Sequence, residues 1–347
     1  MANELNSLFF FGRPLGPIYG FAMRIREKLY RHRIFKQYHP GVPVISVGNL
    51  MLGGTGKTPT VIHLARLLKE NGYNPAVISR GYGGKSTDNI NIVSDGKDIL
   101  MDPVAAGDEP VLIAESLQDI PVLTGRKRIE PCLHAVEHLN VDILLLDDGF
   151  QHMSVVRDIN VVLFDATVLA GNSRIFPGGP LREPVAALKR TSAFLLTGQN
   201  PENRERSTAF AQILQARFPD KPVFTASYSG LSLVDSGGVP MNPAAVGNAY
   251  VFCAIASPER VQKSVEILGI QISGMNNYKD HTSYTVSMIE ALCQKAAQAG
   301  ATCLITTAKD YVKVKNADFT LPVYVLKISQ KPETAFNDFI LQNIPGN

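Results

Sequence analysis

The chain has 347 residues, of which 45% are hydrophobic and 19% charged, with a mean hydropathy of +0.03. That length predicts about two domains at roughly 150 residues each; the composition excludes intrinsic disorder, and 28 Gly with 22 Pro exclude a long coiled coil. The net charge of +3 is local, since residues 1–40 hold seven Lys and Arg against two Glu, so no broad nucleic-acid surface is expected.

From the N-terminus, Leu8-Phe9-Phe10-Phe11 is strongly apolar, and Leu15, Ile18, Ala22, Ile25 and Leu29 recur at steps of three and four. Arg24, Arg26, Lys28, Arg31 and Arg33 crowd the same segment. An amphipathic helix over about 8–36 is expected. Such a helix suits a membrane surface, where anionic lipid attracts each nearby Lys or Arg by about 1 kcal/mol. The alternative is a helix packed on the body with its charges solvated. No apolar run reaches the ~18 residues of a membrane span, and none leads to a signal cleavage site.

Short apolar runs follow at 44–47, 76–79, 121–123, 143–146, 160–164, 193–196 and 223–226. They lack polar alternation, as strands covered on both faces do. Between them, 60–71 sets Val61, Leu64, Leu67 and Leu68 on one helical face, and Gly72 ends it. Strand and helix in alternation predict a doubly wound, mostly parallel α/β fold of P-loop type. Residues 89–100 read as a β-hairpin turning at Asp95-Gly96, inside an insertion over about 84–106. A smaller α/β unit is expected over 229–347, following a first unit over 1–228, with strands at 250–256, 303–306 and 323–328 and helices at 259–268 and 287–299. Cys132, Cys253, Cys293 and Cys303 have no CxxC spacing and read as reduced core thiols.

Two motifs carry chemistry. Residues 44–60, VISVGNLMLGGTGKTPT, run from a strand through a glycine-rich loop into a helix. In that context Gly53, Gly54, Thr55 and Gly56 turn backbone N–H groups toward phosphate oxygens, Lys57 reaches the β- and γ-phosphates, and Thr58 holds Mg²⁺. Met51 stands where the usual pattern has Gly. Residues 141–148, VDILLLDD, end an apolar strand on two acids, Asp147 and Asp148. Opposite a phosphate loop such acids bind Mg²⁺ directly or through water; capping a helix is the alternative.

Further strings narrow the reading: SRGYG at 79–83, GDEP at 107–110, DDGFQH at 147–152 and PGGPLREP at 177–184. With the phosphate loop they resemble the tetraacyldisaccharide 4′-kinase family, in order from about residue 44 to 184, with weaker echoes at Lys279-Asp280-His281 and at 306–310, TTAKD. The resemblance implies a peripheral enzyme on the cytoplasmic face of a bacterial inner membrane, with no nucleic-acid or obligate protein partner. It would transfer the γ-phosphate of ATP to the 4′-hydroxyl of tetraacyldisaccharide 1-phosphate, in a cleft between two α/β units. It also implies Asp108 as the proton acceptor and His281 as its partner from the second unit; on the residues alone, Asp108 capping a helix at Pro110 is the alternative.

Glu109 joins Thr58, Asp147 and Asp148 as metal-ligand candidates. Arg80, Arg126, Gln151, His152, Asn172, Arg174 and Arg182 are substrate candidates, with surface salt bridges as the alternative for the arginines. Three positions depart from the family pattern: Ser173 for Gly, Thr282 for His and Ala308 for Glu. Three other readings compete, one of them a soluble small-molecule kinase, which would leave the apolar, basic N-terminus unexplained. A membrane ATPase switch would carry a signature Lys where this chain has Leu52. A nucleotide-gated adaptor would leave the GDEP and DDGFQH acids with no acceptor to serve.

Overall fold

A computed structural model describes residues 9–346, so position 8, where the N-terminal helix is expected to open, lies outside the described residues. The strands in chain order are β1 (Val44–Asn49), β2 (Pro75–Ser79), β3 (Asn91–Ser94), β4 (Val122–Thr124), β5 (Ile143–Asp147), β6 (Ile159–Asp165) and β7 (Ala193–Gln199). Then follow β8 (Val223–Val234), β9 (Pro240–Met241), β10 (Ala249–Cys253), β11 (Ile272–Asn277), β12 (Cys303–Thr307) and β13 (Val323–Pro332). They form one 13-stranded sheet in the order β11-β10-β12-β13-β8-β7-β6-β1-β5-β2-β4-β3, with β9 on β8. Pairing is parallel except at β3/β4, β8/β13 and β8/β9. The apolar runs become central strands because both faces are covered: every residue of β1, β2, β5, β6 and β10 is buried.

β8 runs on to Val234, through the position where a second unit is expected to begin. It pairs with β7 from Val223 and turns antiparallel to β13 up to Val234, so the sheet is continuous. The C-terminal helix Thr334–Gln342 returns to the first half, where Phe336 and Ile340 are fully buried with Val61 and Leu64 of the phosphate-loop helix. The hairpin forms, with Ser94 bridging Ile99 and the Leu100 N–H bonded to the Val93 carbonyl at 2.8 Å. Its first arm, β3, is the sheet's edge strand on β4. All four cysteines are buried and free.

The N-terminal helix Gly16–Arg31 packs through its small residues. A β-carbon at Gly16 would stand 3.4 Å from the Ile175 carbonyl, and one at Gly20 the same distance from the Ile175 side chain. Its apolar side faces outward: Ile18 is 67% and Phe21 63% exposed, and Phe11 before it 78%. A helix folded for a soluble core would do the reverse. Among the described residues no helix is long and apolar enough to cross a membrane.

Candidate active site

The phosphate loop leaves β1 and closes on the helix Lys57–Glu70, whose N-cap Gly56 has φ +74°. Glycine supplies that left-handed turn without a Cβ clash. No atom lies within 4 Å of where a β-carbon would stand at Gly53 or Gly54. The loop is held from behind: Asn49 Nδ2 donates to Thr55 Oγ1 at 2.9 Å, and Thr197 Oγ1 to the Thr55 carbonyl at 2.9 Å. Met51 explains its departure from the usual glycine. It bridges Leu181 antiparallel and is buried among Leu50, Phe150 and Leu181, so the chain is still extended there.

Asp147 ends β5 opposite Val47 of β1, which sets it at the C-terminal edge of the sheet beside the loop. Ser79 Oγ donates to its Oδ2 at 3.0 Å, while Oδ1 is buried with no hydrogen-bond partner. Burial, with Glu109 and Asp148 nearby, pushes the Asp147 carboxyl up to about 6. Asp148 takes φ +48°, unusual for a side chain with a β-carbon. Both its oxygens accept from Arg182 Nη1, at 3.1 and 2.9 Å, and Lys57 Nζ lies 3.6 Å away. Burial alone would raise Asp148; Lys57 and Arg182 outweigh it and hold the group below the usual carboxylate range.

Asp108 and Glu109 open the helix Asp108–Ser116. The capping position belongs to Gly107, at φ +95°, and the Asp108 carboxylate accepts from the Glu109 N–H at 2.9 Å while also facing groups outside the helix. His281 Nδ1 lies 3.1 Å from each Asp108 oxygen. Lys309 Nζ bonds Glu109 at 3.1 Å and Asp280 at 3.4 Å and lies 3.9 Å from Asp108; Lys313 Nζ lies 3.8 Å from Asp108 and 2.8 Å from Asp310. Burial would raise Asp108, but the His281 hydrogen bond and the charges of Lys309, His281 and Lys313 hold it low. The same bond raises His281 against its burial. Lys309 and Lys313 are the residues that sequence reasoning missed; Lys309 stands in the TTAKD string, the only signal it gives.

The remaining candidates divide. Gln151 donates to the Asn49 carbonyl at 2.9 Å, joining the DDGFQH turn to the loop strand. Burial and the charges of Arg128, Arg157, Arg26 and Arg80 push His152 down to about 3, so it is neutral. Arg80 and Arg126 are exposed and line a cavity of about 180 Å³ with the Gly81–Gly84 turn and Thr124. Arg128, two residues on, is buried, and its charge acts on Asp147 and Asp148. Asn172 Oδ1 accepts from the Arg174 N–H at 3.0 Å, which builds its own loop, and Arg174 is exposed. Ser173 has φ +55°, the conformation for which glycine is favoured at this position. Thr58 follows Lys57 in the first turn of the loop helix. Among the described residues no three His, Cys, Asp or Glu side chains are grouped to hold a metal ion.

A glycine loop on a helix N-terminus, with strand-end acids beside it, is the equipment of a P-loop phosphotransferase, and the fold here is of that class. The model of the family described as tetraacyldisaccharide-1-P 4′-kinase, LpxK, matches residues 8–345. The chain belongs to this family. It is 42% identical over 335 residues to the tetraacyldisaccharide 4′-kinase of Desulfotalea psychrophila, covering 96% of each chain. To that of Syntrophus aciditrophicus it is 40% identical over 330 residues, covering 92% of this chain and 88% of the relative. Among solved structures it is similar to the "apo" form of LpxK from Aquifex aeolicus in complex with ATP, with a TM-score of 0.79 and 30% identity over 95% of this chain and 98% of that one.

Proposed function

We propose that this chain transfers the γ-phosphoryl group of ATP to the 4′-hydroxyl of tetraacyldisaccharide 1-phosphate, as a peripheral enzyme on the cytoplasmic face of a bacterial inner membrane. The observation that carries the reading is the Asp108–His281 pair at 3.1 Å, with Glu109 beside it acting electrostatically on Asp147. A carboxylate held by a histidine stands next in sequence to Glu109, whose charge acts on the strand-end acid Asp147, and this supports the reading. An adaptor or ATPase switch has no use for that pair. The outward apolar face of the N-terminal helix supports membrane contact, as a lipid substrate requires.

The chemistry follows from the residues. A sugar hydroxyl is a poor nucleophile at neutral pH, so it must be aligned and relieved of its proton. Asp108 accepts that proton as the 4′-oxygen bonds to the γ-phosphorus and the bond to the β,γ-bridging oxygen breaks, releasing ADP. The lowered proton affinity of Asp108 keeps it a carboxylate at neutral pH. It is then a weak base, which suits a loose transition state in which the nucleophile's proton leaves late. Lys57, released from Asp148, would meet the phosphate chain, and the loop N–H groups would cradle it.

The donors fit Mg²⁺: Asp147 carries a buried oxygen without a hydrogen-bond partner, and oxygen ligands suit a hard cation. Thr58, Asp147, Asp148 and Glu109 would hold it. Bound there, it neutralises charge on the phosphate oxygens. Arg80 and Arg126, on the cavity of about 180 Å³, and Arg182 are the cations for the substrate's phosphate; Gln151, His152, Asn172 and Arg174 border its approach. On this reading the chain divides at 228/229, within β8, into two lobes on one sheet, and 229–347 carries His281 over the cleft.

The test is transfer of label from γ-labelled ATP to tetraacyldisaccharide 1-phosphate in mixed micelles with Mg²⁺. Label in the lipid with wild type and none with Lys57→Ala supports the reading; phosphate released to water with unlabelled lipid overturns it.

A further inference from the structure

The N-terminal helix is joined to the active-site turn by a partly buried network. Arg190 follows the PGGPLREP string and lies at its centre. Its Nη2 donates to both oxygens of Glu183, at 3.1 and 3.0 Å, and Glu183 is 1% exposed. Its Nη1 lies 3.5 Å from Glu27 of the helix. The guanidinium sits over the Phe150 ring, 4.5 Å from the centroid, and Nη2 also reaches the Phe150 carbonyl at 3.4 Å. Phe150 is the centre of the DDGFQH turn and is fully buried. On its other side it presses against β1, where a β-carbon at Gly48 would come within 2.6 Å of the Phe150 Cβ. Two more bonds run from the helix to the same region: Arg26 Nη2 to the Gln151 carbonyl at 3.0 Å, and Tyr19 Oη to the Arg182 carbonyl at 3.1 Å.

The turn needs such support. Asp148 is left-handed, a conformation that persists in a residue with a β-carbon only where its surroundings hold it. Two residues later Phe150 is held by β1 on one side and Arg190 on the other. Arg182, which grips the Asp148 carboxylate, is fixed through its carbonyl by Tyr19.

We propose that Arg190 is a positioning residue for the acid-bearing turn 147–152, and that its pairing with Glu27 makes the membrane-facing helix a working part of the catalytic site. This rests on the kinase reading above. The helix's outward face meets lipid while its inner polar face holds the turn that carries Asp148 and Gln151, so seating the helix on a membrane and ordering the acids become one event. A lysine at 190 keeps the charge but loses the planar fork whose Nη2 bonds Glu183 and the Phe150 carbonyl while Nη1 faces Glu27 as an ion pair without a hydrogen bond.

The test uses the full chain with Glu27→Gln, Arg190→Lys and both together. Amide exchange is followed on peptides covering 147–153, without nucleotide or lipid, and kcat and KM for ATP are measured in mixed micelles. The expected result for Glu27→Gln is exchange about tenfold faster at 147–153 only, with kcat down about fivefold or more and KM for ATP within about twofold. Glu27→Asp should restore most of both. The double variant should be no worse than Arg190→Lys, because the two substitutions break one chain of contacts. Wild-type exchange and kcat in Glu27→Gln, or effects that multiply in the double variant, overturn the proposal. Should Arg190→Lys fail to fold, Glu27→Gln and its Asp rescue decide it, since Glu27 is partly exposed. If wild type labels no lipid, the kinase reading falls, while the exchange result still judges the positioning.

Discussion

Asp108→Asn separates catalysis from structure at the proposed proton acceptor. Asparagine keeps the shape and a hydrogen bond to His281 but accepts no proton. A hydrogen bond to a charged group is worth about 1.5–3 kcal/mol and a neutral one about 0.5–1.5, so the exchange costs about 1–2 kcal/mol of stability. Lys313, 9% exposed, keeps Asp310 at 2.8 Å and Lys309 keeps Glu109 at 3.1 Å, so neither lysine is stranded. From a total of about 5–15 kcal/mol, the loss leaves more than about 99% of the protein folded. Unfolding therefore contributes almost nothing to any fall in rate. Loss of a general base lowers kcat by about 10²–10⁴, or about 2.7–5.5 kcal/mol of barrier. The assay is label transfer to lipid under saturating ATP, with nucleotide affinity measured by equilibrium binding. Turnover within about tenfold of wild type at unchanged affinity would refute the assignment.

The remaining predictions probe other parts of the argument. The Asp108–His281 pair should stabilise the fold in a window of pH. Asp108, lowered in the fold, contributes above the ordinary carboxylate value and loses this as pH falls through its folded value. His281, raised, contributes fully below about 6.5 and loses it as pH rises through its folded value. The Tm gap between wild type and Asp108→Asn should then be widest between about pH 4 and 6.5, and a gap that grows from pH 7 to 9 contradicts this. Gly48→Ala sets a β-carbon 2.6 Å from the Phe150 Cβ and 2.7 Å from its backbone N, so the DDGFQH turn must shift; a cost of about 1–3 kcal/mol should appear as a lowered Tm together with lost activity, and wild-type values for both would show the approach to be looser. Phe11→Asp with Phe21→Asp removes two exposed rings and adds negative charge, so flotation with anionic vesicles should fall at least about tenfold while ATP binding stays; undiminished flotation would mean that this face does not meet lipid.

The parts of the fold legible in the sequence are those where chemistry is contiguous. β1, the glycines, Lys57 and the loop helix lie in one stretch, and Asp147-Asp148 closes an apolar run, so spacing alone reveals the phosphate site. Central strands are legible because burial on both faces makes them uniformly apolar. β11, which reads ISGMNN, is not, because it is an edge strand and only partly buried. Residue type alone does not separate Arg126 from Arg128: one lines an open cavity, and the other is buried with its charge acting on the acids. Asp108–His281 joins residues 173 apart, and spacing does not span that distance; the resemblance to a family supplies the pairing. Lys309 carries no mark of its own, because its role depends on four groups brought to it by two elements.

Among the described residues, the ion pairs between the two halves have one sign. Asp108 and Glu109 meet His281 and Lys309; Asp165, 2% exposed, takes both Arg260 nitrogens at 2.7 and 2.9 Å. At the rim, Glu115 pairs with Lys315 at 2.6 Å and Glu202 with Lys263 at 2.7 Å. In each pair the acid belongs to the first half and the cation to the second. A triphosphate entering the cleft adds negative charge that attracts the same cations. Lys309 and Lys313 stand against Asp108, at 3.9 and 3.8 Å, and so are the cations of the second half nearest the proposed proton acceptor after His281. The rim pairs, exposed and screened by salt, add little to the energy that holds the halves together. The Asp165–Arg260 pair, buried on the acid's side and bidentate, fixes where the halves meet.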